Sequence, residues 1–473
     1  GLAGGDGVAV LDEPLDDGAA VRGHDRDGFP QRVDAADARL HLDRAAHGEG
    51  AGLPEGALDR RDQQPPGGRG IEVGGAAMPL ACGVLRLLPG FTGASFTYHA
   101  DYLRRAEATA LDPFALPLRA GTFVFPKTQD GLLPPAIQDA APDQWGRIVI
   151  ERTRGELPRR SEFDYLAAAG GDRSGALAFS ITEALPAEEN ESAQGIEQLS
   201  EVEQAAQRIA AGLPVEERHR LLLRKGTSIG GVRPKCVVRD GERLWIAKFN
   251  ARDERLDAVA LEYAGMQLAA QCGITVPLVR KAELGGGHHA LLVARFDREW
   301  LGEYFGRIAY LSGRSLMRGY WQAMQGEAVT EYGYPLLAEA MRAGCAAQDL
   351  RADLAQLYRR MLFNILIDNT DDHEKNHGFL LSAQGWRLAP AFDLASQLHA
   401  LGYQGMTVGA QGRASSMENA LSECARFGLG WAEAQALIDA IKAAIGDWEK
   451  IYRASGVDQE SIKRVATVMQ RIV

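Results

Sequence analysis

Between Asp371 and Asn376 the chain reads Asp-Asp-His-Glu-Lys-Asn, a carboxylate followed five positions later by a carboxamide. Seventeen residues beyond Asn376, Asp393 follows Ala391 and Phe392. Phosphoryl transfer asks a protein for cradled phosphates, held Mg2+ and a positioned, partly deprotonated hydroxyl. On that chemistry Asp371 is the base that accepts the hydroxyl proton, and Asn376 and Asp393 are the metal ligands, hard oxygen donors of the kind Mg2+ prefers. Phe392 is placed to pack on the nucleotide.

Upstream, Thr227-Ser228-Ile229-Gly230-Gly231-Val232-Arg233-Pro234-Lys235 sets two glycines and two cations just before a β-rich run, which suits backbone amides closing over phosphates. Glycine pairs mostly mark plain turns, so alone this is a weak signal. Lys248 falls on the next β-rich run and Glu262 on the helical segment after it, the order in which protein kinases place a phosphate-binding lysine and its carboxylate partner. Arg295-Phe296-Asp297-Arg298 ends a further strand, where a hinge between lobes would offer backbone groups to adenine. Each residue also has an ordinary reading. Lys248 can be a strand-edge charge, Glu262 a solvated helix residue, Asp393 the N-cap of a following helix, and 371–376 a polar turn closing a helix. Their joint order argues for catalysis, and the contiguous stretch supplying the base and both metal ligands argues most.

His373-Glu374-Lys375-Asn376-His377 also spells H-E-x-x-H, the zinc-protease signature. That chemistry needs both histidines on one face of a continuing helix, with Glu374 as base. Asp368, Asn369, Asp371 and Asp372 interrupt the apolar stripe before the motif, and Gly378 with a β-like run follows it. A zinc hydrolase therefore stands as the second reading, and a degenerate kinase that only binds a partner as the third, which intact Asp371, Asn376 and Asp393 oppose.

Positioning these groups falls to the elements around them. Leu354, Leu357, Tyr358, Met361, Leu362, Ile365 and Leu366 recur at helical spacing and predict a core helix running into the polar loop 368–377. β-like runs over 378–381 and 386–388 predict a hairpin leading to Asp393. Earlier, runs over 235–239 and 244–249 flank Asp240-Gly241, a pair that favours a tight hairpin turn. A helix over 256–271 and a strand over 290–296 follow, and beyond Gly409 the chain predicts helices over 438–452 and 459–472.

With 473 residues the chain is long enough for two or three domains. No apolar run approaches the roughly 18 residues that span a bilayer, so no membrane segment is expected. A net charge of −11 provides no general attraction for nucleic acid, so a polyanion must be held at a local site. The five cysteines are scattered, odd in number and never C-x-x-C, which predicts neither a disulfide framework nor structural zinc and fits a reducing cytoplasm. Residues 1–77 hold no Ser, Thr, Lys, Asn, Tyr, Trp, Cys or Met. They are expected to be a disordered leader, not translated natively, with Met78 as the true start. Residues 78–185 then form a small unit with strands over 83–88 and 95–98, 186–219 a linker and helix, and 220–473 the catalytic domain.

From about Gly83 to the C-terminus the sequence resembles the HipA family of bacterial toxin kinases. The resemblance rests on Ser-Ile-Gly-Gly-Val-Arg-Pro-Lys at 228–235, Ala-Arg-Phe-Asp-Arg at 294–298, Asn-Thr-Asp-Asp-His-Glu-Lys-Asn at 369–376 and Leu-Ala-Pro-Ala-Phe-Asp at 388–393, with Gly-Leu-Leu-Pro at 131–134 and Gly-Ala-Leu at 175–177 in the N-terminal part. It implies an α+β, two-lobed protein-kinase-like fold with an N-terminal β-rich subdomain and a mainly helical C-terminal lobe. It further implies ATP and Mg2+, with Gly230, Gly231, Val232, Arg233, Pro234 and Lys235 over the phosphates and Lys248 on them. Ala294, Arg295 and Phe296 would lie at the adenine, and His373, Glu374, Lys375 and Asn376 would be nucleotide and metal contacts. In the family the serine opening the glycine loop can be autophosphorylated, and Ser228 stands there. Ala294 departs from an acidic hinge residue, leaving only its backbone to serve. The resemblance also implies a protein substrate in translation, such as an aminoacyl-tRNA synthetase. A separately encoded helix-turn-helix antitoxin would be the partner, with DNA reached only through it.

Overall fold

A computed structural model describes residues 37–42, 80–154, 161–181, 194–224, 231–251 and 256–472. Ser228 and Gly230, Met78, and the leader apart from 37–42 lie outside the described residues.

The first sheet is antiparallel, with strands β1 (Asp37–Leu42), β2 (Leu80–Leu87), β3 (Gly93–Tyr98), β4 (Thr122–Pro126) and β5 (Leu177–Ser180) in the order β4-β3-β2-β1-β5. One face is apolar because alternate residues of the strands point the same way: Leu85, Phe96 and Tyr98, joined by Cys82 where the β1–β2 register slips, pack on Leu133, Ile137, Phe163 and Leu166. The expectation of disorder fails at β1, which lies between β2 and β5. Composition averaged over 77 residues hides the short alternation Asp-Ala-Arg-Leu-His-Leu, and a six-residue strand needs only that and two neighbours to pair with.

The second sheet holds β6 (Gln194–Gly195), β7 (Lys235–Asp240), β8 (Arg243–Lys248), β9 (Val279–Gly285) and β10 (His288–Ala294), ordered β6-β7-β8-β10-β9, with only β6 to β7 parallel. Gly241, at φ 59°, makes the β7–β8 turn, as the Asp-Gly pair predicts. Beneath the sheet, Trp145 and Val149 of helix Gln144–Arg154 join Val202, Ala206 and Ile209 of helix Leu199–Ala210 against Cys236, Val238, Trp245 and Ala247. A segment from the N-terminal part of the chain thus completes the core of the second sheet. Helix Ala258–Gln271 is capped by Asp257, whose carboxylate accepts the Ala260 N–H at 2.9 Å.

The remaining lobe is chiefly helical around helix Leu350–Leu366, whose predicted apolar stripe is buried throughout. Phe363 and Asn364 are buried as well, so its last turns are enclosed on all sides. Short strands β11 (Arg298–Trp300) and β12 (Phe305–Arg307) form a hairpin, and β13 (Tyr310–Ser312), β14 (Gly378–Ser382) and β15 (Gly385–Leu388) a three-stranded sheet. The helix expected over 438–452 is two helices, Trp431–Ala444 and Trp448–Ala454, separated by a tight turn at 445–447 that contains Gly446. No helix among the described residues is long and apolar enough to cross a membrane.

Candidate active site

Lys248 ends β8, where its ammonium meets two carboxylates. Glu262 Oε1 lies 2.6 Å from Nζ, and Asp393 Oδ1 also accepts from it. The Glu262 helix reaches this point because residue 265 is glycine: a Cβ there would sit 2.0 Å from the Leu394 carbonyl oxygen. Burial works against charge on all three side chains, but the cluster compensates internally. The two carboxylates raise the Lys248 ammonium, Asp393 most. Burial alone would raise Asp393, yet Lys248 and then Lys235 hold it well below the usual carboxylate range. For Glu262 burial prevails and its carboxyl is pushed up, with Lys248 opposing. Lys235 pairs with Lys248 across β7 and β8. Its ammonium is lowered to about 8, first by burial and then by Lys248.

Asp393 has φ 56°, a left-handed conformation that costs a side-chain-bearing residue roughly 1–2 kcal/mol. Asn369 Nδ2 donates to its carbonyl at 3.1 Å and to Asn364 Oδ1 at 3.0 Å, tying Asp393 to the loop that carries Asp371 and to the core helix behind it. No helix follows Asp393, so the N-cap reading does not apply. Asp371 is exposed at the rim of its loop, and its carbonyl accepts from Asn376 Nδ2 at 3.5 Å, turning Asn376 Oδ1 the other way. Behind Asp371, Asp372 is buried and accepts hydrogen bonds from the Tyr334 hydroxyl and, at 3.0 Å, from His377 Nε2.

The H-E-x-x-H run does not form an α-helix. Glu374–Asn376 is a single tight turn and His377 is extended, leading directly into β14. His373 Nδ1 accepts the Lys375 N–H at 3.2 Å, while His377 faces Asp372. The geometry lacks the shared helical face that zinc hydrolysis requires. By contrast, a carboxamide oxygen and an ionised carboxylate fit Mg2+, which takes one or two protein donors and completes its shell with phosphates and water.

The turn before β7 meets an acid the sequence reading missed. Asp143 Oδ2 accepts the Gly231 N–H at 3.1 Å, and Asp143 Oδ1 lies 2.8 Å from Lys375 Nζ. Asp143 precedes Lys375 by 232 residues, so no local pattern signals the pair. Val232 is exposed, and the Pro234 carbonyl accepts from Phe249 N–H at 3.1 Å. Arg233 acts on Glu262, helping to lower its carboxyl. Glu374 lies 3.6 Å from Arg314.

The Phe296 and Phe392 rings are 5.7 Å apart, so the end of β10 and the Ala391–Asp393 stretch meet there. Ala294 N–H is taken by the Leu278 carbonyl at 2.9 Å and Arg295 N–H by Leu244 at 2.9 Å. The Arg295 side chain points into a different network. It is buried, paired with Asp297 and Asp172, and donates to the Arg173 carbonyl at 2.7 Å, so it fastens the N-terminal module to this strand end.

A model of the HipA-like C-terminal domain matches residues 227–448, and a model of the HipA N-terminal domain matches residues 81–180. Among solved structures, HipA of Shewanella oneidensis MR-1, determined with HipB and its operator DNA, is similar at TM-score 0.59 and 20% identity over 83% of this chain and 93% of that chain. The proinflammatory kinase CtkA of Helicobacter pylori matches at TM-score 0.32 and 13% identity over 48% of this chain and 93% of that one. The fold is accordingly the two-lobed kinase-like one with an N-terminal β-rich module.

Proposed function

The chain belongs to the HipA family of toxin proteins, and from that premise we propose that it is an ATP- and Mg2+-dependent serine/threonine protein kinase, the toxin of a toxin–antitoxin pair. The observation that carries this reading is Lys248 held between Glu262 and Asp393, with Asn369 joining Asp393 to the loop of Asp371. That arrangement supplies a phosphate-directed cation, a metal-directed carboxylate and a base from three different elements.

Lys248 offers its ammonium to the ATP phosphates, and Glu262 keeps it aimed there. Phe296 and Phe392 flank the base, and the backbone of 294–296 borders it. Asp371, open at the rim, accepts the proton of the protein hydroxyl as that oxygen bonds to the γ-phosphorus. The bond to the bridging oxygen breaks at the same centre, and its electron pair leaves on ADP. Mg2+, held by Asn376 Oδ1 and the Asp393 carboxylate, would supply neutralisation of the phosphate charge. Asp372, His377 and Tyr334 fix the loop behind Asp371, whose own side chain stays exposed.

The family resemblance extends the proposal to a translation-related substrate, such as an aminoacyl-tRNA synthetase, and to autophosphorylation at Ser228. A separately encoded antitoxin is proposed by analogy with the Shewanella oneidensis HipA, solved with HipB and operator DNA. Incubation with labelled ATP and Mg2+ tests the core of the proposal. Wild type should incorporate phosphate into itself or an added protein, and Asp371→Asn should do so roughly 10²- to 10⁴-fold more slowly. Equal incorporation by both proteins would remove Asp371 as base.

A further inference from the structure

Asp143 lies in the N-terminal part of the chain, yet it occupies donors at the mouth of the cleft. The segment is fixed there by its neighbour: Trp145 is buried, its indole N–H donates to the Lys235 carbonyl at 2.9 Å, and its backbone N–H donates to the Gly231 carbonyl at 3.3 Å. One oxygen of the Asp143 carboxylate takes the Gly231 N–H and the other takes the Lys375 ammonium. Lys235 closes the third side: a Cβ on Gly231 would sit 2.4 Å from its Nζ, and it is electrostatically coupled to Asp143. A backbone amide and an ammonium group bonded to one carboxylate, with the Lys235 charge acting on it from nearby, form the kind of cradle that binds phosphate. Here a side chain of the same molecule fills it. Unlike the sealed carboxylate of Asp297, the Asp143 side chain is 29% exposed, so water can take it over when it is displaced.

We infer that Asp143 is an internal phosphate surrogate, a latch from the N-terminal module that competes with the nucleotide's terminal phosphates for Gly231 N–H, Lys235 and Lys375. The inference rests on the nucleotide reading proposed above and adds what regulates that site. Two anions cannot share the cradle, so phosphate entry expels the carboxylate and loosens the bridge between the glycine turn and the catalytic loop. The more phosphates a nucleotide carries, the more it loses to the latch.

Titration calorimetry with Mg2+ and ATP, ADP or adenosine, on the full chain, reads this directly. Asp143→Asn keeps the shape and removes the charge. It should bind ATP roughly three- to tenfold more tightly than wild type, as expected for loss of one like charge at a partly solvated site. The gain should be smaller for ADP and absent for adenosine. Asp143→Ala should behave likewise and guards against residual bonding by the amide. Weaker ATP binding by both variants, or an equal gain for adenosine, would overturn the latch. Hydrogen exchange without nucleotide separates this from failure of the nucleotide reading. Peptides covering 231–235 and 371–377 should exchange faster in both variants. Unchanged exchange refutes the latch whatever ATP does. Faster exchange in a protein that binds no nucleotide refutes competition with phosphate and the kinase reading together, leaving only a structural bridge.

Discussion

Lys248 between Glu262 and Asp393, and Arg295 between Asp297 and Asp172, are both buried cations held by two carboxylates, and they do different things. The arginine cluster is closed. Arg295 and Arg298 side chains are 1% and 3% exposed, and Asp297 also accepts the Gly175 N–H at 2.8 Å, while Arg298 donates to the carbonyls of Arg173 and Gly175. The two guanidinium groups are buried and bonded to Asp172, Asp297 and the carbonyls of Arg173 and Gly175, so the cluster holds the N-terminal module in place and faces no solvent. The lysine cluster is open on one side, with the Asp393 side chain 38% exposed and its backbone in a strained conformation. Buried charge that is fully paired is scaffold, whereas buried charge with one partner still facing solvent can exchange that partner for a ligand.

Two substitutions sharpen this contrast, the larger effect first. Lys248→Met should lower phosphate transfer by roughly 10²-fold or more, the scale at which one preorganised charge-stabilising donor is lost. It should cost only about 1–3 kcal/mol of stability, because Asp393 can turn to water and Glu262, already pushed up by burial, can take a proton. Asp297→Ala should do the reverse. It leaves Arg295 and Arg298 sharing Asp172, and breaking a buried pair in this way costs about 3–5 kcal/mol in urea unfolding, with transfer per folded molecule little changed. A loss below about 1 kcal/mol for Asp297→Ala would erase the distinction.

Local pattern exposed much of this in advance. The 350–366 helix shows in its apolar stripe and the β7–β8 hairpin in Asp240-Gly241, because each depends on neighbours within a few turns, while the chain order of Lys248, Glu262 and Asp393 points to residues that meet only in the fold. What stayed hidden depends on distant partners. Asp143 and Lys375 meet only after both lobes form, and Arg295 is claimed by Asp172, more than a hundred residues earlier. Gly265 matters for a backbone approach that no helical periodicity encodes. Strand β1 was masked by the composition around it, and the H-E-x-x-H coincidence could be dismissed geometrically only once 374–376 was seen to be one tight turn.

The open cluster makes the most direct demand on a crystal structure with Mg2+ and a non-hydrolysable ATP analogue. The account predicts Mg2+ between Asn376 Oδ1 and Asp393, Lys248 turned from Asp393 to a phosphate while keeping Glu262, and the Arg295 cluster unmoved. A metal gripped by His373 and His377, or a nucleotide bound away from Lys248, would contradict it.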